Sequence, residues 1–262
     1  MTPETSRLAS ELLQLAESVA IAAGDLLMDR PSSFELSEKT TAIDFATQMD
    51  LKAETLIVQS LLAARPDDGI IGEEGAARQS TSGVTWVIDP LDGTVNYFYG
   101  LPGWNVSIAA RDSQGSLVGV VNAPTIDSLW HAVRGAGAFH NGEKIRSTTQ
   151  VSLDRALLGT GFAYDVAERT EQIAMVASLL PRTRDIRRMG SAAVDLCHVG
   201  MGALDGYFER GLKEWDWAAG ALVATEAGAH VAHLGDGARK LTVAAGPGLF
   251  QTLQEALAGA LN

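Results

Sequence analysis

The chain has 262 residues, 46% of them hydrophobic and 20% charged, the balance of an ordinary globular protein long enough to bury a substantial core. Lys and Arg number 20 and Asp and Glu 32, for a net charge of −12. This disfavours nucleic acid or an anionic membrane as partner, and requires bound cations if the substrate is itself anionic. No apolar run reaches the roughly 20 residues that span a bilayer. The opening residues lack the basic-then-apolar order of a signal peptide, so the expected location is the cytoplasm. The one cysteine, Cys197, rules out an internal disulfide and reads as a buried structural thiol.

Leu8, Leu12, Leu15, Val19, Ala23 and Leu26 recur every three or four residues and predict an amphipathic helix over about 5–29, ended by Pro31. A polar loop is expected over 32–42, in which Lys39 reads either as part of a lid or as a solvated side chain. Thr47 then fits the N-cap of a second helix, with Asp50 as its N3 partner and Ala53, Leu56, Ile57, Leu61 and Leu62 on its apolar face. Gly69-Ile-Ile-Gly72 reads as a short strand that delivers Glu73 and Glu74 to its end, where paired glutamates are otherwise simply solvated.

The most informative stretch is Trp86-Val-Ile-Asp-Pro-Leu-Asp-Gly-Thr-Val-Asn-Tyr97. Its apolar start predicts a buried strand ending at Asp89, where Pro90 fixes the backbone. Asp92 follows on a tight turn, so two carboxylates can point at one place. Like charges that close repel, and a cation relieves the repulsion. Oxygen-only ligands suit a hard ion such as Mg²⁺. Gly93 and Thr94 add free backbone N–H groups of the kind that hold phosphate. A strand-ending turn rich in Asp, Pro and Gly is the plain alternative.

Strands are expected over 106–111, 117–122 and 128–133, followed by a Gly-rich hairpin over 135–142 that contains His140. A boundary between two halves, roughly 1–146 and 147–262, is placed near 144–152. The second half reads as strand 156–159, helix 167–180, strand 185–188, helix 192–201 opened by Gly190-Ser191, strand 241–245 and a terminal helix over 249–261. Arg184, Arg187 and Arg188 fit either an anion contact or surface salt links. Asp216 reads locally as the N-cap of an apolar helix.

Four stretches resemble the inositol monophosphatase family in its own order: Lys39 to Asp50, Gly72-Glu-Glu74, the Asp89-Pro-Leu-Asp-Gly-Thr94 string, and Gly190 to Gly228 with Tyr207-Phe-Glu209 and Trp215-Asp216. The resemblance covers nearly the whole chain. It implies a layered α/β fold, an α-β-α-β-α sandwich in a single domain, and Mg²⁺-dependent, lithium-sensitive hydrolysis of phosphate monoesters, myo-inositol monophosphate first among them. By the same resemblance, Glu73, Asp89 and the Leu91 carbonyl hold one Mg²⁺, and Asp89, Asp92 and Asp216 a second, with a third near Glu73. Glu73 and Thr94, the latter held by Asp50, take a proton from water. Asp92, Gly93, Thr94, Gly190, Ser191, Ala192, Glu209 and Asp216 contact substrate, and the chain forms a homodimer. Arg210, Lys213 and Glu214 depart from the animal enzymes. Histidinol phosphate, fructose 1,6-bisphosphate and 3′-phosphoadenosine 5′-phosphate are the alternative substrates, and a non-catalytic inositol-phosphate-binding regulator is the alternative outside enzymology.

Overall fold

A computed structural model describes residues 3–39, 43–235, 237 and 239–259. In chain order the elements begin with α1 (Pro3–Met28), β1 (Leu36–Glu38), β2 (Phe45–Thr47), α2 (Gln48–Ala64), β3 (Gly69–Gly72), β4 (Ala77–Arg78) and β5 (Thr85–Asp92). There follow α3 (Thr94–Tyr99), β6 (Asn105–Asp112), β7 (Gly115–Ala123), β8 (Ser128–Val133), β9 (Gly137–His140) and β10 (Glu143–Lys144). The remainder comprises β11 (Leu157–Thr160), α4 (Val166–Leu179), β12 (Asp185–Arg187), α5 (Ala192–Gly200), β13 (Gly206–Arg210), α6 (Glu214–Glu226), β14 (His230–Leu234), β15 (Leu241–Ala245) and α7 (Phe250–Gly259).

Strands β3 to β10 form one eight-stranded sheet in the order β10-β9-β8-β7-β6-β5-β3-β4, and β11 to β15 a second of order β12-β11-β13-β15-β14. Alternation along β5 shows how the first sheet is covered on both faces. Trp86 and Ile88 join the core beneath α1 and α2, whereas Val87 joins Ala193, Val194, Ala219 and Val223 of α5 and α6 on the other side. The opposite side of the α5–α6 pair packs on Tyr207 and Ala244 of the second sheet. The far face of that sheet is closed by α4 and α7 through Met175, Leu179, Leu253 and Leu257. The layers therefore run helix, sheet, helix, sheet, helix. Cys197 is buried in the central layer.

Several local expectations change. The segment 32–42 is not a continuous loop: Leu36–Glu38 pairs antiparallel with Phe45–Thr47, while residues 40–42 lie outside the described residues. Strand β5 does not stop at Asp89 but continues to Asp92 across a β-bulge. Strands β4, β13 and β14 add to those expected from the sequence: β4 has only two residues, β13 is short and Gly-led, and β14 carries two histidines among its five residues. The expected terminal helix is seen to Gly259, and its last positions, 260–262, lie outside the described residues.

The central helical layer is tight. A Cβ placed on Gly220 of α6 would lie 2.7 Å from the Ala193 carbonyl oxygen and 2.9 Å from Leu196 Cβ of α5. Alanine would normally strengthen a helix interior by about 1 kcal/mol over glycine. Here Gly220→Ala is expected to destabilise the protein by about 1–3 kcal/mol through overpacking, measured by urea unfolding. A gain in stability would show that the two helices separate freely.

Candidate active site

The bulge in β5 is what brings Asp89 and Asp92 together. Residues three apart on a regular strand point to opposite faces. Asp89 pairs with Ser107 and Asp92 with Asn105, so Pro90 and Leu91 stand opposite the single residue Val106. The extra residue restores both carboxylates to one side, and a proline is tolerated at such a site. Gly93 then turns the chain with φ of 85°, and a Cβ there would lie 3.2 Å from the Trp104 Cα. Thr94 begins α3 directly after it.

Other elements deliver their groups to the same cleft. Strand β3 runs parallel to β5 and ends beside it, which places Glu73 there. The Glu73-Glu74 turn is held by Glu54, a buried carboxylate of α2 that accepts the N–H groups of Glu74 at 2.9 Å and Ala76 at 3.0 Å. Lys39 donates to Glu73 Oε1 at 2.7 Å and also to Glu74. Lys39 is thus a partner of the acidic turn rather than a solvated side chain.

Asp50 uses its two oxygens separately. Oδ2 accepts the Thr47 N–H at 2.8 Å and the Thr47 hydroxyl at 2.6 Å, completing the capping box of α2. Oδ1 lies 3.1 Å from the Thr94 hydroxyl, which is also 3.0 Å from the Leu91 carbonyl. Capping and the contact to Thr94 therefore coexist.

Asp92 reaches across to the central layer. Its Oδ2 accepts from the Ser191 hydroxyl at 2.5 Å and from the Ala193 N–H at 3.1 Å. Ser191 is the N-cap of α5 and accepts from the Val194 N–H. Asp216 is at N3 of α6 and not its N-cap. That cap is Lys213, whose N–H donates to Asp216 Oδ2 at 2.6 Å. Asp216 also lines the cleft. Glu209 lies near the end of β13 with its carboxylate against Gly161, where a Cβ would come within 1.9 Å of it, and accepts the Tyr207 hydroxyl.

The cleft is lined by Glu73, Asp89, Asp92, Asp195, Glu209 and Asp216, against one basic side chain, Arg188. Gly93, Thr94, Gly190, Ser191, Ala192 and Leu91 line it as well. The electrostatic consequence is uniform. Burial, then Glu73, Asp92 and Asp216, raise Asp89 well above the usual carboxylate range. Burial, followed by Glu73 and Asp92, does the same to Asp216. Asp92 is raised by burial and held back by its Ser191 and Ala193 hydrogen bonds. Glu209 is pushed up by burial to about 7. Burial opposes the Lys39 charge, yet Glu73 and Glu74 outweigh it and raise its pKa. A crowd of this kind is relieved by protons or by cations.

Among the described residues, no three His, Cys, Asp or Glu side chains already converge as an ion cage. The fit to a hard divalent cation is one of donor chemistry. The cleft offers carboxylates and a carbonyl, while its lining includes neither histidine nor cysteine. The Lys39 contact shows that Glu73 accepts a positive charge.

Two residues here were not singled out from the sequence. Glu54 and Asp195 sit inside apolar helical patterns, and a charged residue on such a face was the available signal. Arg188 separates from its neighbours only in three dimensions: Arg187 pairs with Asp185 at 2.5 Å and Arg184 donates to the Arg155 carbonyl at 2.8 Å, whereas Arg188 lines the cleft.

Comparison with known proteins follows the same lines. The family model described as "Inositol monophosphatase family" matches residues 8–262. The inositol-1-monophosphatase of Mycobacterium leprae is 43% identical over 232 residues, covering 84% of this chain and 80% of that protein. The Nus factor SuhB of Escherichia coli K12 is 41% identical over 222 residues, 83% of each. The crystal structure of the extragenic suppressor protein suhB from Bartonella henselae superposes with a TM-score of 0.88 at 32% identity, over 94% of this chain and 98% of that one. The shared layers, the coverage and the matching family model place this chain in the inositol monophosphatase family of phosphatases.

Proposed function

We propose that this chain hydrolyses phosphate monoesters with Mg²⁺ in the cleft, and that myo-inositol monophosphate is its principal substrate. The observation carrying this reading is the gathering of Glu73, Asp89, Asp92 and Asp216 in one cleft beside Gly93 and Thr94. Glu73, Asp89, the Leu91 carbonyl, Asp92 and Asp216 would hold two Mg²⁺ ions, with a third near Glu73. When bound, such ions activate water and offset the charge of the phosphate.

The chain's own groups do the rest. Asp50 holds the Thr94 hydroxyl, Thr94 and Glu73 orient water, and its proton goes to the Glu73 carboxylate or, with Thr94 passing its own hydroxyl proton on, to Asp50. The N–H groups of Gly93 and Thr94 hold phosphate oxygens. The Gly190-Ser191-Ala192 backbone walls the alcohol portion of the substrate, and Glu209 accepts one of its hydroxyls. The Tyr207 hydroxyl and the Gly161 backbone fix the Glu209 carboxylate for this. The same reading takes the protein as a cytoplasmic homodimer, for which the exposed Tyr99, Leu101 and Met189 supply apolar surface.

Phosphate release should require added Mg²⁺ and vanish on exhaustive chelation. Full turnover in a chelator would contradict the reading, and no release from any substrate in Mg²⁺ would favour a non-catalytic binding protein. A panel of inositol 1-phosphate, histidinol phosphate, fructose 1,6-bisphosphate and 3′-phosphoadenosine 5′-phosphate tests the substrate. Inositol 1-phosphate should show the highest kcat/KM.

Two substitutions separate the metal-facing and substrate-facing roles. Asp89→Asn should lower hydrolysis of every monoester together, by at least about 10²-fold. Glu209→Gln should lower kcat/KM for inositol 1-phosphate by about ten- to a hundredfold, and for glycerol 2-phosphate much less. Equal proportional losses for Glu209→Gln would assign Glu209 to the metals or the fold.

A further inference from the structure

Two polar groups in the cleft have no part in the scheme above. Asp195, on the first turn of α5, is 1% exposed, and its Oδ1 has no hydrogen-bond partner among the described residues. It lines the cleft. Its position near the start of α5 gives it some favourable interaction with the helix dipole, which leaves the orphaned oxygen unsatisfied. A buried carboxylate without a partner is costly, and such groups cluster where a ligand completes them. Arg188 follows β12 and is exposed at the same cleft. Its guanidinium forms no hydrogen bond or ion pair with any described residue, although its neighbours Asp185, Arg187 and Arg184 are all engaged. The two groups sense one another, since Arg188 opposes the burial that raises Asp195. Glu209 is close enough to raise Asp195 as well.

We propose that Asp195 and Arg188 form a second hydroxyl-binding point for the alcohol portion of the substrate, selecting polyol phosphates with several hydroxyls over short monoesters. The inference rests on the phosphatase reading and extends it. The chemistry of the occupant follows from the pair. An anionic substituent would meet the carboxylates of Asp195 and Glu209, and a cationic one would meet Arg188. A hydroxyl donates to a carboxylate and accepts from a guanidinium at the same time, so it satisfies both. Glu209, fixed by Tyr207 and Gly161, would take one hydroxyl of such a polyol, and the Asp195–Arg188 pair another. The neighbouring hollow, lined by Val95, Phe162, Tyr164 and Ile173 together with Arg169 and Arg188, is largely apolar and suits the carbon face of a ring.

The test compares wild type, Asp195→Asn and Arg188→Met on myo-inositol 1-phosphate and glycerol 2-phosphate in Mg²⁺, with melting curves for each protein. Asp195→Asn should raise KM for inositol 1-phosphate by about tenfold or more, with a smaller change in kcat, and the loss should exceed that on glycerol 2-phosphate by about tenfold. Its melting temperature should hold, because Asp195 Oδ1 has no hydrogen-bond partner to lose among the described residues. Arg188→Met should shift selectivity in the same direction without lowering the melting temperature, since Arg188 is bonded to nothing that folding requires. Proportional losses on the two substrates, or unchanged selectivity in both variants, would overturn the inference while leaving an active phosphatase. If Asp195→Asn fails to fold, Arg188→Met alone decides by the same selectivity criterion. A wild-type chain inert toward both substrates would instead overturn the phosphatase reading, and this inference with it.

Discussion

The crowding of buried carboxylates around Asp89 is the constraint on which the rest of the structure depends. Asp89 is 2% exposed and faces Glu73, Asp92 and Asp216. A fold assembled for stability alone would not place these groups together, because each raises the cost of ionising the others. Geometry offsets part of that cost. Asp92 is tied to the start of α5, Asp50 to the start of α2, and Asp216 to the start of α6. Asp50 shows the division of labour directly, its Oδ2 capping α2 while its Oδ1 meets Thr94. Helix starts carry unsatisfied N–H groups and partial positive charge, so the fold turns an electrostatic liability into local order.

The sheet topology serves the same purpose. Glu73 follows the end of β3 beside Asp89 of β5, and these two strands are the one parallel pair in the described part of the larger sheet. Glu209 comes from the end of a strand in the other sheet. The helices α5 and α6 lie between the sheets, with the start of each turned toward the cleft through Ser191 and Asp216. Both sheets and the helical layer between them thus contribute groups, and the close approach at Gly220 keeps the two central helices in register.

Much of this was legible in the sequence, for identifiable reasons. Periodicity located both ends of α1 to within two residues, because long amphipathic patterns leave few alternatives. The capping box at Thr47 and Asp50 was readable because cap chemistry is local. The bulge was not, since Pro90 signals an interruption but cannot say whether the strand resumes beyond it. The Asp216 cap was misplaced because the same residue type serves at N-cap and N3. Asp195 and Arg188 were illegible as a pair, because only the fold brings α5 and the end of β12 to one cleft.

The tie between Asp92 and α5 has a dynamic consequence. Ala193 donates its N–H to a carboxylate from another layer, so the first turn of this helix cannot fray without releasing a group of the cleft. Any ligand that binds only the intact cleft adds its binding free energy to the protection of that turn. Amide exchange at Ala193 and Val194 would then slow with occupancy, although neither amide need touch the ligand. The backbone at the centre of the protein thereby reports, on the time scale of local opening, whether its acidic cleft is filled.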